Sequence, residues 1–117
     1  MADYQHIALN VVGDICVVRL LDSRIVDDMN IYELGTELFS LVEKDGHVKV
    51  LLNFANVDFL SSAALGKLIM LYKKIAVRNG VLKLSNISDD IRELFTIMNL
   101  DRIFDIRNTE SEALSAF

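Results

Sequence analysis

The stretch Val48-Lys49-Val50-Leu51-Leu52-Asn53-Phe54 constrains the fold most, because it is strand-length and almost wholly apolar. Such a run suits a strand covered on both faces, and so the middle of a sheet. The sequence on either side supplies helices to cover it. Over residues 29–44, Ile31, Leu34, Leu38, Leu41 and Val42 recur at helical spacing, with Asp28 or Asn30 available as N-cap. Beyond the strand, Ser61 or Ser62 opens a second helix whose stripe is Leu65, Leu68, Ile69, Tyr72, Ile75 and Ala76. Asn79-Gly80 then offers a left-handed stop.

The remaining elements follow from periodicity and capping. Ile7-Ala8-Leu9-Asn10-Val11-Val12 and Ile15-Cys16-Val17-Val18-Arg19-Leu20 are β-prone runs joined by Gly13-Asp14, which suits a tight hairpin. Val81-Leu82-Lys83-Leu84 reads as a strand. Ser88, with Asp89 and Asp90 in the first turn, opens a third helix whose buried stripe is Ile91, Leu94, Phe95 and Met98. Arg102-Ile103-Phe104-Asp105-Ile106 reads as a last short strand, and Thr109 with Glu112 matches a capping box. The order is β-β-α-β-α-β-α-β-α, an α/β fold with a mixed, mainly parallel β-sheet and packed α-helices. No proline and no Gly/Ser-rich linker divides the 117 residues, which read as a single domain over 1–117.

Several functions are disfavoured. Charged or amide residues interrupt every apolar stretch well short of the ~18 residues a membrane helix needs. Met1-Ala2-Asp3-Tyr4-Gln5-His6 has no basic segment leading into an apolar one, so a cytoplasmic protein is expected. A net charge of −5 opposes a phosphate-dominated nucleic-acid surface. The single cysteine, Cys16, sits in an apolar run and is expected to be a buried thiol. His6 and His47 lie in separate segments with no paired cysteines, so no metal site is expected, and His47 reads as a solvated turn residue. Neither G-x-G-x-x-G nor G-x-x-x-x-G-K-[ST] occurs, and paired acids such as Asp27-Asp28 and Asp89-Asp90 suit helix starts. No cofactor and no catalytic residue is indicated.

The most specific stretch is Val50-Leu51-Leu52-Asn53-Phe54-Ala55-Asn56-Val57-Asp58-Phe59-Leu60-Ser61-Ser62-Ala63-Ala64-Leu65-Gly66, a buried strand turning through two serines into a helix. It resembles the STAS family, the domains of sulfate transporters and bacterial anti-sigma-factor antagonists. Val57, Phe59, Ser62, Leu65 and Gly66 match the family pattern without a gap. The resemblance implies a STAS-like fold over nearly the whole chain and no enzymatic activity. It also implies a partner that is both serine kinase and anti-sigma factor, and phosphorylation at Ser62, with Ser61 as the alternative. Ser61 stands where the family has an acidic residue, Ala63 where it has a second serine, Ala64 for a glycine and Asn53 for an aspartate. Either serine also suits a plain helix cap.

At ~100° per residue, Ala63, Lys67, Met70, Lys74, Val77 and Arg78 fall away from the second helix's buried stripe. That face, beginning beside Ser62, is expected to meet an acidic partner with a small apolar centre, its lysines in solvent. The expected function is that of an anti-sigma-factor antagonist bound through Ser61, Ser62, Ala63, Lys67, Met70 and Lys74. The alternative is a STAS interaction module in a signalling or scaffold assembly without a phosphorylation switch, which the missing acidic residue favours. A small enzyme or nucleotide-binding protein is a third possibility on such a fold.

Overall fold

The computed structural model describes residues 4–117, so Met1-Ala2-Asp3, half of the N-terminal segment considered above for a leader, lie outside the described residues. β1 (Ile7–Val12) and β2 (Ile15–Leu20) form an antiparallel hairpin. Gly13 takes a φ of +63° at its turn, a conformation that glycine adopts without a Cβ penalty. β4 (Lys49–Asn53), β6 (Val81–Ser85) and β7 (Asp105–Arg107) then add in parallel, giving the order β1-β2-β4-β6-β7 once β3 (Arg24–Ile25) and β5 (Phe59–Leu60) are set aside as a separate parallel pair. β4 is therefore the middle strand, and Val50, Leu51 and Leu52 are fully buried in it.

α1 (Asp28–Glu43), α2 (Ser62–Ala76) and α3 (Asp89–Ile97) supply the buried residues that meet Cys16, Val18, Leu20, Val50, Leu52, Leu82 and Leu84 from the sheet in one core. On the other face α4 (Glu110–Ser115) sets Ala113 against Val17 and Leu51, with Ile15, Leu114 and Phe117 at the margin. Each fully buried leucine contributes roughly 1.5–3 kcal/mol, whereas helix propensities differ by tenths, so the apolar stripes decide where the helices sit. Cys16 is wholly buried, and desolvation, with a smaller effect from the Asp45 charge, pushes its thiol up to about 11.

The structure differs from the sequence reading in local detail. β3 and β5 are additional strands. The last strand begins at Asp105, not Arg102: Asn99 turns left-handed at a φ of 58°, and Leu100–Arg102 forms a 3-10 turn. This turn delivers Phe104 into the core, edge-on to Phe95 at 5.6 Å and Tyr72 at 5.8 Å. Asp27, without a side-chain bond, occupies the cap position of α1. In α2, Leu71 belongs to the buried stripe and Ala76 is exposed. The left-handed residue after it is Asn79, at a φ of 59°, and not Gly80. The caps Ser88 and Thr109 stand as expected, accepting from the amides of Ile91 and Glu112. Glu112 reaches back to the amide of Asn108 at 3.3 Å, one residue before the cap.

Candidate functional site

β4 leaves the sheet through a turn held by main-chain and side-chain bonds. The Asn53 carboxamide oxygen accepts from the amide of Ala55 at 2.8 Å, while its nitrogen donates to Glu110 at 2.9 Å. Asn53 thus ties the end of the central strand to the start of α4. The amides of Asp58 and Phe59 donate to the Ser23 carbonyl at 2.8 and 3.0 Å, and the amide of Ser61 donates to the Ile25 carbonyl at 3.0 Å. The short β3–β5 pair therefore fixes the approach to α2. On its outer side Phe59 is 53% exposed, and the Arg24 guanidinium lies 4.5 Å from its ring centre.

The two serines have different surroundings. Ser61 is the N-cap, with extended backbone, and its hydroxyl accepts from the amide of Ala64 at 3.2 Å. Ser62 is the first residue of α2 and is exposed, as is Ala63 beside it. One hydroxyl serves the helix, and the other faces solvent at the helix end where backbone N–H groups and the dipole favour negative charge.

Along α2 the polar and apolar members of the sequence-derived face separate. Met70 and Val77 are exposed. Lys67, Lys74 and Arg78 instead reach toward α1. Lys67 is half-buried, its ammonium 6.0 Å from the Tyr32 ring centre, and its stem occupies the space that a Cβ on Gly35 would take. Lys74 is half-buried as well, 3.3 Å from a Glu43 carboxylate oxygen and 5.0 Å from the Phe39 ring centre. Arg78 donates to the Val42 carbonyl at 2.6 Å. The lysines are thus not free in solvent, because the small Gly35 and the aromatic rings of α1 offer their aliphatic stems apolar cover. Exposed Tyr32 of α1, beside Lys67, adds an apolar ring to this face that the sequence reading did not include.

His6 is a second polar centre, missed from the sequence because its partners come from distant segments. Nδ1 lies 2.5 Å from Asp22 and Nε2 lies 2.9 Å from Glu33, while Glu37 accepts from the amides of Gln5 and His6. Two carboxylates can both be satisfied only by a ring that donates from both nitrogens, the imidazolium. His47 sits half-buried in the loop before β4. Among the described residues no three His, Cys, Asp or Glu side chains converge to hold a metal ion, and no helix is long and apolar enough to cross a membrane.

The STAS domain model matches residues 6–113. The chain belongs to the STAS domain family. A Bordetella bronchiseptica protein named as the anti-sigma factor antagonist BtrV is 31% identical over 80% of this chain and 79% of its own length. A Thermotoga maritima protein of the same description is 30% identical over 84% of this chain and 87% of its own. A crystal structure of a Thermotoga maritima anti-sigma factor antagonist superposes with a TM-score of 0.83 at 25% identity, over 94% of this chain and 92% of that one. The phosphorylated form of the Bacillus cell-fate determinant SpoIIAA shares the fold, with a TM-score of 0.71 at 20% identity over 94% and 97% of the two chains. This STAS domain therefore resembles regulatory proteins of the anti-sigma-factor-antagonist type in sequence and in fold.

Proposed function

We propose that this STAS domain is an anti-sigma factor antagonist that binds a serine-kinase anti-sigma factor and is switched by phosphorylation of Ser62. The observation that carries the reading is the division of labour between the serines: Ser61 is engaged as the cap of α2, whereas Ser62 is exposed. A kinase can reach Ser62 without dismantling the helix. Ser61, Ala63, Lys67, Met70 and Lys74 complete the contact surface, with Tyr32 of α1 adding apolar area beside Lys67.

Phosphate at Ser62 adds a charge of roughly −1.5 to −2, which the N-terminus of a 15-residue helix accommodates without unfolding. In a contact surface the same charge must be desolvated or paired, and a partner matched to Lys67 and Lys74 is acidic and opposes it. Binding falls while the fold survives.

The test is site-resolved mass spectrometry after incubation with an anti-sigma factor kinase, paired with affinities of the Ser61→Ala and Ser62→Ala variants. Modification of Ser62 with loss of binding supports the switch. A second reading, an interaction module without a switch, is favoured by Ser61 standing where the family has an acid. Modification at Ser61 alone, or at neither serine, with binding retained, selects it.

A further inference from the structure

His6 is buried, and the ionisable side chains that face it are acids from two separate elements. Asp22, in the loop before β3, lies 2.5 Å from Nδ1, and Glu33 of α1 lies 2.9 Å from Nε2. Glu37, one turn further along α1, accepts from the amides of Gln5 and His6, and its charge also acts on the ring. Among the described residues no Lys or Arg pairs with any of these three acids, so the imidazolium is the cation they share. Asp22 is followed by Ser23, whose carbonyl accepts from the amides of Asp58 and Phe59, and the Ile25 carbonyl accepts from the amide of Ser61. β3 and β5 have only two residues each, and the buried Ile25 and Leu60 side chains are their hold on the core. Elements so small belong to the low-stability end of a fold, where local opening precedes global unfolding.

We infer that the His6 proton latches the β3–β5 pair: with the proton on, Asp22 and Ser23 are held and the segment leading into α2 is closed, and with it off, that segment opens locally. A neutral imidazole has a single N–H, so one of the two carboxylates must then face a lone pair. If that acid is Asp22, its short side chain can withdraw only by moving the backbone of residues 22 and 23. If it is Glu33, the longer side chain swings into solvent, and Asp22 keeps a neutral bond in place of a charge-assisted one about twice as strong. Asp22 loses hold in either case, and repulsion among three acids without a shared cation acts in the same direction. Glu33 stands on a 16-residue helix with its own buried stripe, so α1 keeps its place and the two-residue strands give way. The latch stands on these contacts and not on the kinase reading. If that reading also holds, the latch makes the approach to Ser62 dependent on pH.

Amide hydrogen exchange of the full chain, resolved residue by residue by NMR, tests it over the pH range in which the His6 ring signals titrate. Protection of the Asp58, Phe59 and Ser61 amides, corrected for the intrinsic base-catalysed rate, is expected to be highest below the ring's pKa and to fall as pH rises through it. The loss should be tenfold for each pH unit that separates the measured pKa of the ring from its ordinary value of about 6.5. The amides of Leu51 and Leu52, in the fully buried middle strand, should remain better protected throughout, since they report global opening. In His6→Gln the three amides should show the weaker protection at every pH, with no inflection. In Asp22→Asn the inflection should vanish from the three amides while His6 still titrates beside Glu33, which separates the latch from a general effect on stability. Protection in the wild type that is flat across the His6 titration overturns the inference. So does an unchanged inflection in either variant, or exchange of the three amides as slow as that of Leu51 and Leu52, which would mean that the pair opens only with the whole fold.

Discussion

The Nε2 of His6 lies 2.9 Å from a Glu33 carboxylate oxygen, and this contact fastens the entry of β1 to the second turn of α1. Asp22, on the other ring nitrogen, directly precedes Ser23, whose carbonyl holds the amides of Asp58 and Phe59 just before the serine turn. A buried proton is therefore two linked contacts away from the segment that leads to Ser62.

Burial, the largest single influence on His6, disfavours its charge. The hydrogen bonds to Glu33 and Asp22, with the charges of Asp22 and Glu37, outweigh it and hold the pKa above the ordinary value. A pKa raised on folding stabilises the native state fully below the unfolded value of about 6.5, and that contribution is lost as pH rises through the folded pKa. Urea midpoints of the wild type should therefore decline as pH rises from about 6.5 through the folded pKa, and those of His6→Gln should decline less. At low pH the variant should be weaker by about 1–3 kcal/mol, the lower end being favoured because Asp22 and Glu33 are 30% and 40% exposed. Parallel pH profiles for the two proteins would refute the assignment of the proton to His6.

The serines should separate in stability as well as in modification. Ser61→Ala removes the acceptor for the amide of Ala64 and should cost about 1 kcal/mol, as loss of a helix cap does. Ser62→Ala, at an exposed position, should stay within about 0.5 kcal/mol of the wild type. Equal denaturation midpoints for the two variants would show that Ser61 is not the working cap.

Much of this geometry is legible in the sequence where a signal is repeated or local. The apolar run of β4, the stripes of α1 and α2 and the caps Ser88 and Thr109 each bear several residues that agree with one another. β3 and β5 have two residues each, too few for any period to appear, yet they position Ser61. The last strand was shifted because Phe104, β-prone by type, is drawn into an aromatic contact with Phe95 instead. His6 meets acids 16, 27 and 31 positions away, a spacing that only the folded chain brings together. The α2 lysines were expected in solvent because helical periodicity describes one helix alone and knows nothing of Gly35 and Phe39 on its neighbour.

Lys74 offers a separation of fold from binding. Lys74→Glu sets a second carboxylate beside Glu43 and should destabilise by up to about 1 kcal/mol, since the pair is partly exposed. Lys74→Met keeps the stem over Phe39 and should be close to neutral. Both should bind the anti-sigma factor less well, the glutamate variant more severely, if the ammonium meets an acidic partner. Wild-type affinity in both, measured by titration calorimetry, would remove Lys74 from the contact surface.

Two glycines should respond in opposite directions to the same change. A Cβ at Gly80 would stand 2.2 Å from the Val48 carbonyl oxygen and 2.7 Å from Ile75, and the backbone cannot yield because that carbonyl also accepts from the amide of Val81. Gly80→Ala should therefore cost about 1–3 kcal/mol or more, as overpacking does. At Gly66 a Cβ would meet nothing within 4 Å, inside a regular helix where alanine is favoured over glycine by about 0.5–1 kcal/mol. Gly66→Ala should raise the melting midpoint. Gly66 also follows Ser62 by four positions, and so lies on the same side of α2. If the kinase-type partner covers Ser62, the added methyl should intrude there and lower affinity in a protein that has become more stable. A variant both more stable and fully competent in binding would mean that the partner approaches Ser62 from the β5 side, over Arg24 and Phe59, and not along α2.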